Sequence, residues 1–268
     1  MIGIFDSGLG GLTVFKEIAS KLPTYQLLYL GDTARTPYGN RSQELIYEFT
    51  KQAVDFLFFQ GCELIIIACN TASSEALRKI QQEYLPQQYP HKKVLGVIRP
   101  VAEEAVKVTK NKRIGVTGTR GTINSQAYDK ELTILDKEVK VFSQACPLLV
   151  PLVEEGWLKK PETMKIVRGY VRPLKQQKID TLILGCTHYP FLWKQFQQIS
   201  GKNIKVLNSP EIVAEKLADY LKRHPEVEKK LVKNGNHHFF VTDVTVNFQE
   251  IAERFLGHKI ILEKIDLK

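Results

Sequence analysis

Two nine-residue stretches carry the side chains best suited to chemistry. Glu63-Leu64-Ile65-Ile66-Ile67-Ala68-Cys69-Asn70-Thr71 and Asp180-Thr181-Leu182-Ile183-Leu184-Gly185-Cys186-Thr187-His188 share an acid, an apolar run, a small residue, a cysteine and two polar residues in the same order. A short unbroken apolar run reads as a strand buried on both faces. The cysteine then stands at the strand's carboxyl end, before polar residues that open a helix. Backbone N–H groups and the positive helix end lower a thiol's pKa there, so both thiols are expected to be reactive. Cys62 and Cys146 lack those polar flanks and read as small buried hydrophobes.

Two thiols on opposite walls of one cleft could form a redox disulfide, serve as nucleophile and spare, or act as an acid–base pair. Inversion at a carbon by proton removal and return needs a base on one face and an acid on the other. Identical residue types suit that task, because the roles exchange with direction. Racemisation or epimerisation therefore fits. One sulfur must then be thiolate while the other is thiol, and a free-thiol pKa near ~8.5 means that the site must stabilise the thiolate. Asp6, His188 and a helix terminus are the candidates to tune the pair.

The elements that position these residues are short β-rich runs alternating with helical patterns. The runs are Ile2 to Phe5, Gln26 to Leu30, Leu64 to Ala68, Lys93 to Val97, Arg113 to Val116, Lys140 to Phe142, Thr181 to Leu184, Ile204 to Leu207, Phe239 to Thr242 and Lys259 to Ile265. Between them, Val14, Ile18 and Leu22 form an apolar stripe stopped by Pro23, and Ile46, Phe49, Ala53 and Phe56 form another ending at Gly61. This order predicts an α/β fold with mostly parallel sheets and ligands beyond the carboxyl ends of the strands.

Ten strands are more than one such sheet comfortably holds. The turn Asp6-Ser7-Gly8-Leu9-Gly10-Gly11 after the first run is echoed by Thr117-Gly118-Thr119-Arg120-Gly121-Thr122 after the fifth, and Cys69 and Cys186 stand 117 positions apart. A diverged repeat follows. We expect two similar lobes, each a mostly parallel sheet flanked by helices, related by pseudo-two-fold symmetry with the active site in the cleft between them. One lobe is placed at residues 1–97 plus 209–268 and carries Cys69; the other, at 98–208, carries Cys186.

Composition narrows the class. The chain has 268 residues, 43% hydrophobic and 25% charged, which is ordinary for globular proteins and excludes disorder, collagen and coiled coil. No apolar stretch approaches the ~20 residues of a membrane span, and Asp6 falls where a signal peptide would be apolar, so a cytoplasmic protein with no membrane partner is expected. Four cysteines without C-x-x-C spacing, and six histidines without a ligand array, give no support for a metal site. The net charge of +9 is spread, with Lys107 to Arg113 and Lys222 to Lys233 densest, so no nucleic-acid partner is expected.

Four motifs in order carry a resemblance. Ile2-Gly3-Ile4-Phe5-Asp6-Ser7-Gly8-Leu9-Gly10-Gly11, Gly31-Asp32-Thr33-Ala34-Arg35-Thr36-Pro37-Tyr38-Gly39, Ala68-Cys69-Asn70-Thr71-Ala72 and Gly185-Cys186-Thr187-His188-Tyr189-Pro190 together resemble bacterial glutamate racemases, of the cofactor-independent aspartate/glutamate racemase superfamily. The resemblance implies interconversion of L- and D-glutamate with no pyridoxal phosphate or other cofactor, supplying D-glutamate for peptidoglycan and the cell wall. It makes Cys69 the acid or base acting on D-glutamate and Cys186 its counterpart on L-glutamate. It makes Asp6 the carboxylate that assists near Cys69, and His188 the histidine beside Cys186. Substrate-holding positions correspond to Asp6-Ser7, Tyr38-Gly39, Asn70-Thr71 and Thr187-His188. An assisting glutamate falls in Pro151 to Gly156, where we take Glu154 over Glu155. Thr117 and Thr119 are further carboxylate donors, and a homodimer is one assembly open to the chain.

The chemistry of these side chains agrees with that assignment. Ser7, Asn70, Thr71 and Thr187 supply neutral donors for two substrate carboxylates, and Asp6 an acceptor for the ammonium. Removing the α-proton builds charge beside the α-carboxylate, where each preorganised donor contributes roughly 3 kcal/mol by analogy with an oxyanion hole. Other readings stay open for single positions: Asp6 and Ser7 as helix caps, Asp32 as a turn residue or an orienter, Tyr38-Gly39 as only a loop. His91, His224, His237, His238 and His258 lie in polar contexts expected to be exposed, and no role is assigned to them. Neither G-x-G-x-x-G nor a P-loop is present. The rival functions are a sister racemase for aspartate or another amino acid, and a basic α/β module binding nucleic acid without catalysis.

Overall fold

A computed structural model of the chain describes residues 1–267, apart from the side chains of Val246 and Asn247. Among the described residues, ten strands form two parallel sheets. The strands are β1 Ile2–Asp6, β2 Leu27–Gly31, β3 Leu64–Ile67, β4 Lys93–Gly96, β5 Arg113–Gly118, β6 Lys140–Ala145, β7 Thr181–Gly185, β8 Lys205–Val206, β9 His237–Val241 and β10 Leu262–Lys264. One sheet has the order β10-β9-β2-β1-β3-β4 and the other β6-β5-β7-β8. The stretch β2-β1-β3-β4 has the same order as β6-β5-β7-β8, so the sequence repeat is a repeat of topology. All ten expected runs form strands; the last shrinks from Lys259–Ile265 to Leu262–Lys264.

The continuous apolar runs are central strands. β1, β2, β3 and β7 are buried along their whole length. Ile4 pairs with Tyr29 on one side and Ile66 on the other, and Val116 pairs with Ser143 and Ile183. Burying each Ile or Leu there contributes roughly 2 kcal/mol before chain entropy is counted. The largest apolar cluster joins the sheets: Ile4 and Ile66 of one and Val116 and Ile183 of the other share it with Phe15, Val101 and Leu217.

Those three residues belong to helices Leu12–Lys21, Ile98–Val108 and Ser209–Arg223. Helix Leu12–Lys21 buries Val14 and Ile18, as the stripe predicts, and ends two residues before Pro23. Helix Gln43–Phe59 starts where Ser42 accepts a hydrogen bond from the Leu45 N–H, and it covers the outer face of the six-stranded sheet with Ile46 and Ala53 buried. Among the described residues no helix is long and apolar enough to cross a membrane.

Candidate active site

The carboxyl ends of β1, β3 and β7 and the turn after β5 bring the predicted residues together. Asp6 ends β1 and is fully buried. Its Oδ2 accepts from the Gly8 N–H at 3.0 Å, and its Oδ1 accepts from the Thr187 hydroxyl at 3.0 Å, a bond that crosses from one sheet's elements to the other's. The Thr13 hydroxyl donates to the Thr187 carbonyl at 3.2 Å along the same seam. Helix Leu12–Lys21 takes no side-chain cap, so Asp6 and Ser7 are not its caps. Burial pushes the Asp6 carboxyl up, against the nearby His188 charge and the N–H and hydroxyl donors.

Gly10 explains how the walls come so close. A Cβ there would lie 2.3 Å from Thr187 Oγ1 and 2.6 Å from His188 Nδ1, so only glycine fits. Gly39 plays the same part on the other side: its Cβ would meet that of Thr119 at 2.6 Å. The Tyr38 ring, packed against Phe5 and Phe49, sends its hydroxyl to the Asp32 carboxylate. That carboxylate also holds Arg35 at 2.7 Å and the Thr242 hydroxyl at 2.8 Å, so Asp32 is the orienter of this loop. Gly39, and not the Tyr38 hydroxyl, is the part of the pair that meets the opposite wall.

Cys69 caps the short helix Asn70–Glu75, its sulfur accepting from the Ala72 N–H at 3.5 Å, and it lies 3.6 Å from the Ser7 hydroxyl. The expected lowering of its pKa does not result. Burial, joined by the Asp6 charge, outweighs the helix N–H and Ser7 and pushes the thiol up to about 12. The charge of Cys186 acts on Cys69 in the same direction, so the two thiols interact.

Cys186 follows β7 with its sulfur 3.8 Å from His188 Nδ1, and the other ring nitrogen of His188 is 3.2 Å from Glu154 Oε1. Burial works against the charged imidazole, yet the hydrogen bonds and charges of Cys186 and Glu154 outweigh it and lift His188 to about 10. Cys186 and Glu154 thus favour the charged imidazole well above the pH at which a free one loses its proton. That imidazolium supplies the positive charge that a thiolate at Cys186 needs. Glu155, one position on, is exposed and takes no part in this bridge.

Three hydroxyls cluster on a further wall: Thr71 lies 2.9 Å from Thr119 and 3.3 Å from Thr122, and Thr119 lies 3.0 Å from Thr122. Thr117 is elsewhere, its hydroxyl spent on the Ile183 carbonyl inside the sheet at 3.1 Å. Thr122 and Thr13 escaped the sequence reading; a hydroxyl one helical turn after Thr119 was the available signal for Thr122, and nothing local marks Thr13. His237 departs from its expected exposure: it is half-buried on β9 with its ring 5.3 Å from that of Phe15. Cys62 and Cys146 are fully buried beneath the sheets, as their flanks imply. Among the described residues no group of three or more His, Cys, Asp or Glu side chains could hold a metal ion.

The chain is similar along nearly its whole length to known proteins. The model of the Asp/Glu/Hydantoin racemase family matches residues 4–217. Glutamate racemase of Geobacter metallireducens is 44% identical over 260 residues, which cover 97% of this chain and 93% of that protein. The crystal structure of a glutamate racemase isoform from Bacillus anthracis superposes with a TM-score of 0.92 at 40% identity, covering 100% of this chain and 97% of that one. Glutamate racemase from Francisella tularensis, solved in complex with D-glutamate, superposes with a TM-score of 0.89 at 33% identity, covering 99% and 97%. This chain belongs to the Asp/Glu/Hydantoin racemase family.

Proposed function

We propose that this chain interconverts L- and D-glutamate by proton transfer between Cα and two cysteines. The observation that carries the reading is the equivalence of Cys69 and Cys186, each just past the carboxyl end of the corresponding strand, β3 and β7, of a repeated sheet. In the L-to-D direction the Cys186 thiolate removes the α-proton, and the electron pair left on Cα takes a proton from the Cys69 thiol on the opposite face. The products are D-glutamate, a thiol at Cys186 and a thiolate at Cys69; the reverse direction exchanges the roles. The asymmetry of the walls supports this starting state, since burial holds Cys69 as a thiol while the His188 imidazolium faces Cys186.

Asp6 assists at Cys69, and His188 with Glu154 assists at Cys186. Ser7, Gly39, Asn70, Thr71, Thr119 and Thr187 hold the two carboxylates, with Tyr38 setting the loop that carries Gly39. Asp6, Ser7, Cys69, Asn70, Thr71, Cys186, Thr187 and His188 are all 6% exposed or less, so the substrate reaches them when the walls part. The lobes that part are residues 1–97 with 209–268, and residues 98–208. The product D-glutamate serves peptidoglycan synthesis in the cytoplasm. Optical rotation of L-glutamate, D-glutamate and both aspartate enantiomers, each incubated with the purified protein, tests the specificity. Decay to zero for glutamate alone is the expected result; decay for aspartate alone would replace the substrate, and no decay would overturn the function.

A further inference from the structure

Tyr128, one of the largest fully buried side chains, has no part in the reading above. It lies in the first turn of helix Ala127–Leu135, and its hydroxyl donates to Asn70 Oδ1 at 2.7 Å. That helix packs against β6 of the four-stranded sheet, whereas Asn70 opens the helix after β3 of the six-stranded one. The bond therefore crosses the same seam as Thr187 to Asp6. The Tyr128 ring is fixed by Gly185, where a Cβ would come within 2.9 Å of it. Asn70, Cys186 and Thr187 line one small internal space.

A carboxamide has an acceptor end and a donor end. Beside a substrate carboxylate only the donor end attracts, and rotation by half a turn would set Oδ1 against that carboxylate. A hydroxyl donating to Oδ1 opposes that rotation: the phenol oxygen could accept from the turned Nδ2, but the buried phenolic proton would then lose the acceptor it has here. We infer that Tyr128 is a positioning residue for the reaction: its buried hydroxyl, reaching across from the opposite sheet's elements, locks the Asn70 carboxamide with Nδ2 toward a substrate carboxylate. The inference rests on the glutamate reading of the site. It also ties orientation to closure, since Tyr128 and Asn70 meet only when the two walls are together.

The test is a double-mutant cycle in glutamate racemisation, read as KM and kcat. Tyr128→Phe keeps the ring and its packing and deletes only the hydroxyl. It should raise KM by about tenfold while kcat changes by less than about threefold, with an unchanged thermal melt, as expected when one hydrogen bond to a charged ligand loses its orientation. In an Asn70→Ala background the same change should cost less than about twofold, because nothing remains to be oriented. Asn70→Asp, which still accepts from Tyr128 but offers no donor, should lose at least as much as Asn70→Ala. A second full tenfold loss in the Asn70→Ala background, an unaltered KM in Tyr128→Phe, or a wild-type KM in Asn70→Asp would each overturn the inference. Wild-type protein that leaves glutamate unchanged would show before any variant is made, and would overturn the function and this role together.

Discussion

Removing the carboxylate from Glu154 should change the pH dependence of the reaction and leave its neutral rate alone. His188 sits at about 10 because Cys186 and Glu154 outweigh its burial, and Glu154 Oε1 is 3.2 Å from the outer ring nitrogen. Glu154→Gln keeps the size and a hydrogen-bonding oxygen but deletes the charge. The Glu154 side chain is 30% exposed, so water screens it in part, and its charge is worth about 1 kcal/mol to the imidazolium. Losing it lowers the His188 pKa from about 10 toward the free-imidazole range. Turnover that needs the imidazolium therefore matches wild type near neutral pH and falls below it, by about fivefold, where His188 itself titrates. Loss of the glutamate Cα–H signal in buffered deuterated water, followed by proton NMR across that range, reads it directly. An equal loss at every pH, or an unmoved alkaline limb, would refute the argument that Glu154 acts through the charge of His188.

Cys69→Ser and Cys186→Ser should each lower racemisation by about a thousandfold or more, since a hydroxyl is far too weak an acid to replace either thiol; a variant within tenfold of wild type would contradict the two-thiol scheme. Gly10→Ala should abolish turnover while leaving a cooperative thermal melt, because its methyl collides with Thr187 and His188 across the seam; near wild-type activity would show that the walls need not meet there. Both His188 and Cys69 are raised above their unfolded values, so the stability they contribute is complete below about 6.5 and about 9 respectively and is lost as pH climbs through about 10 and about 12. Urea midpoints should accordingly fall between pH 7 and pH 10, and a midpoint constant over that window would refute the assignment.

What was legible in the sequence was local or repeated. Each apolar run is a strand because four or five consecutive Ile and Leu side chains bury on both faces of a parallel sheet, and the Cys69 and Cys186 stretches match because the sheets share one strand order. Two adjacent glutamates look alike in the sequence, and only the fold separates them: Glu154 meets His188 while Glu155 faces solvent. What escaped was set by the packing of distant segments. Thr13 meets Thr187 across 174 positions and Tyr128 meets Asn70 across 58, and no spacing within either segment announces those bonds. The thiol of Cys69 was misjudged for the same reason: the helix end that lowers its pKa is local, but the burial that raises it is a property of the whole fold.

The central claim is that two different thiols work on opposite faces of Cα, and isotope placement at early reaction times tests it most directly. With L-glutamate in deuterated water and no added pyridoxal phosphate or metal, the proton removed by Cys186 is retained on that face while Cys69 delivers solvent deuterium from the other. The account predicts that the first D-glutamate formed carries deuterium at Cα, while the remaining L-glutamate keeps its proton, with the mirror result when D-glutamate is the substrate. Deuterium appearing in unreacted substrate as fast as in product would mean that a single base serves both faces, and would contradict the account.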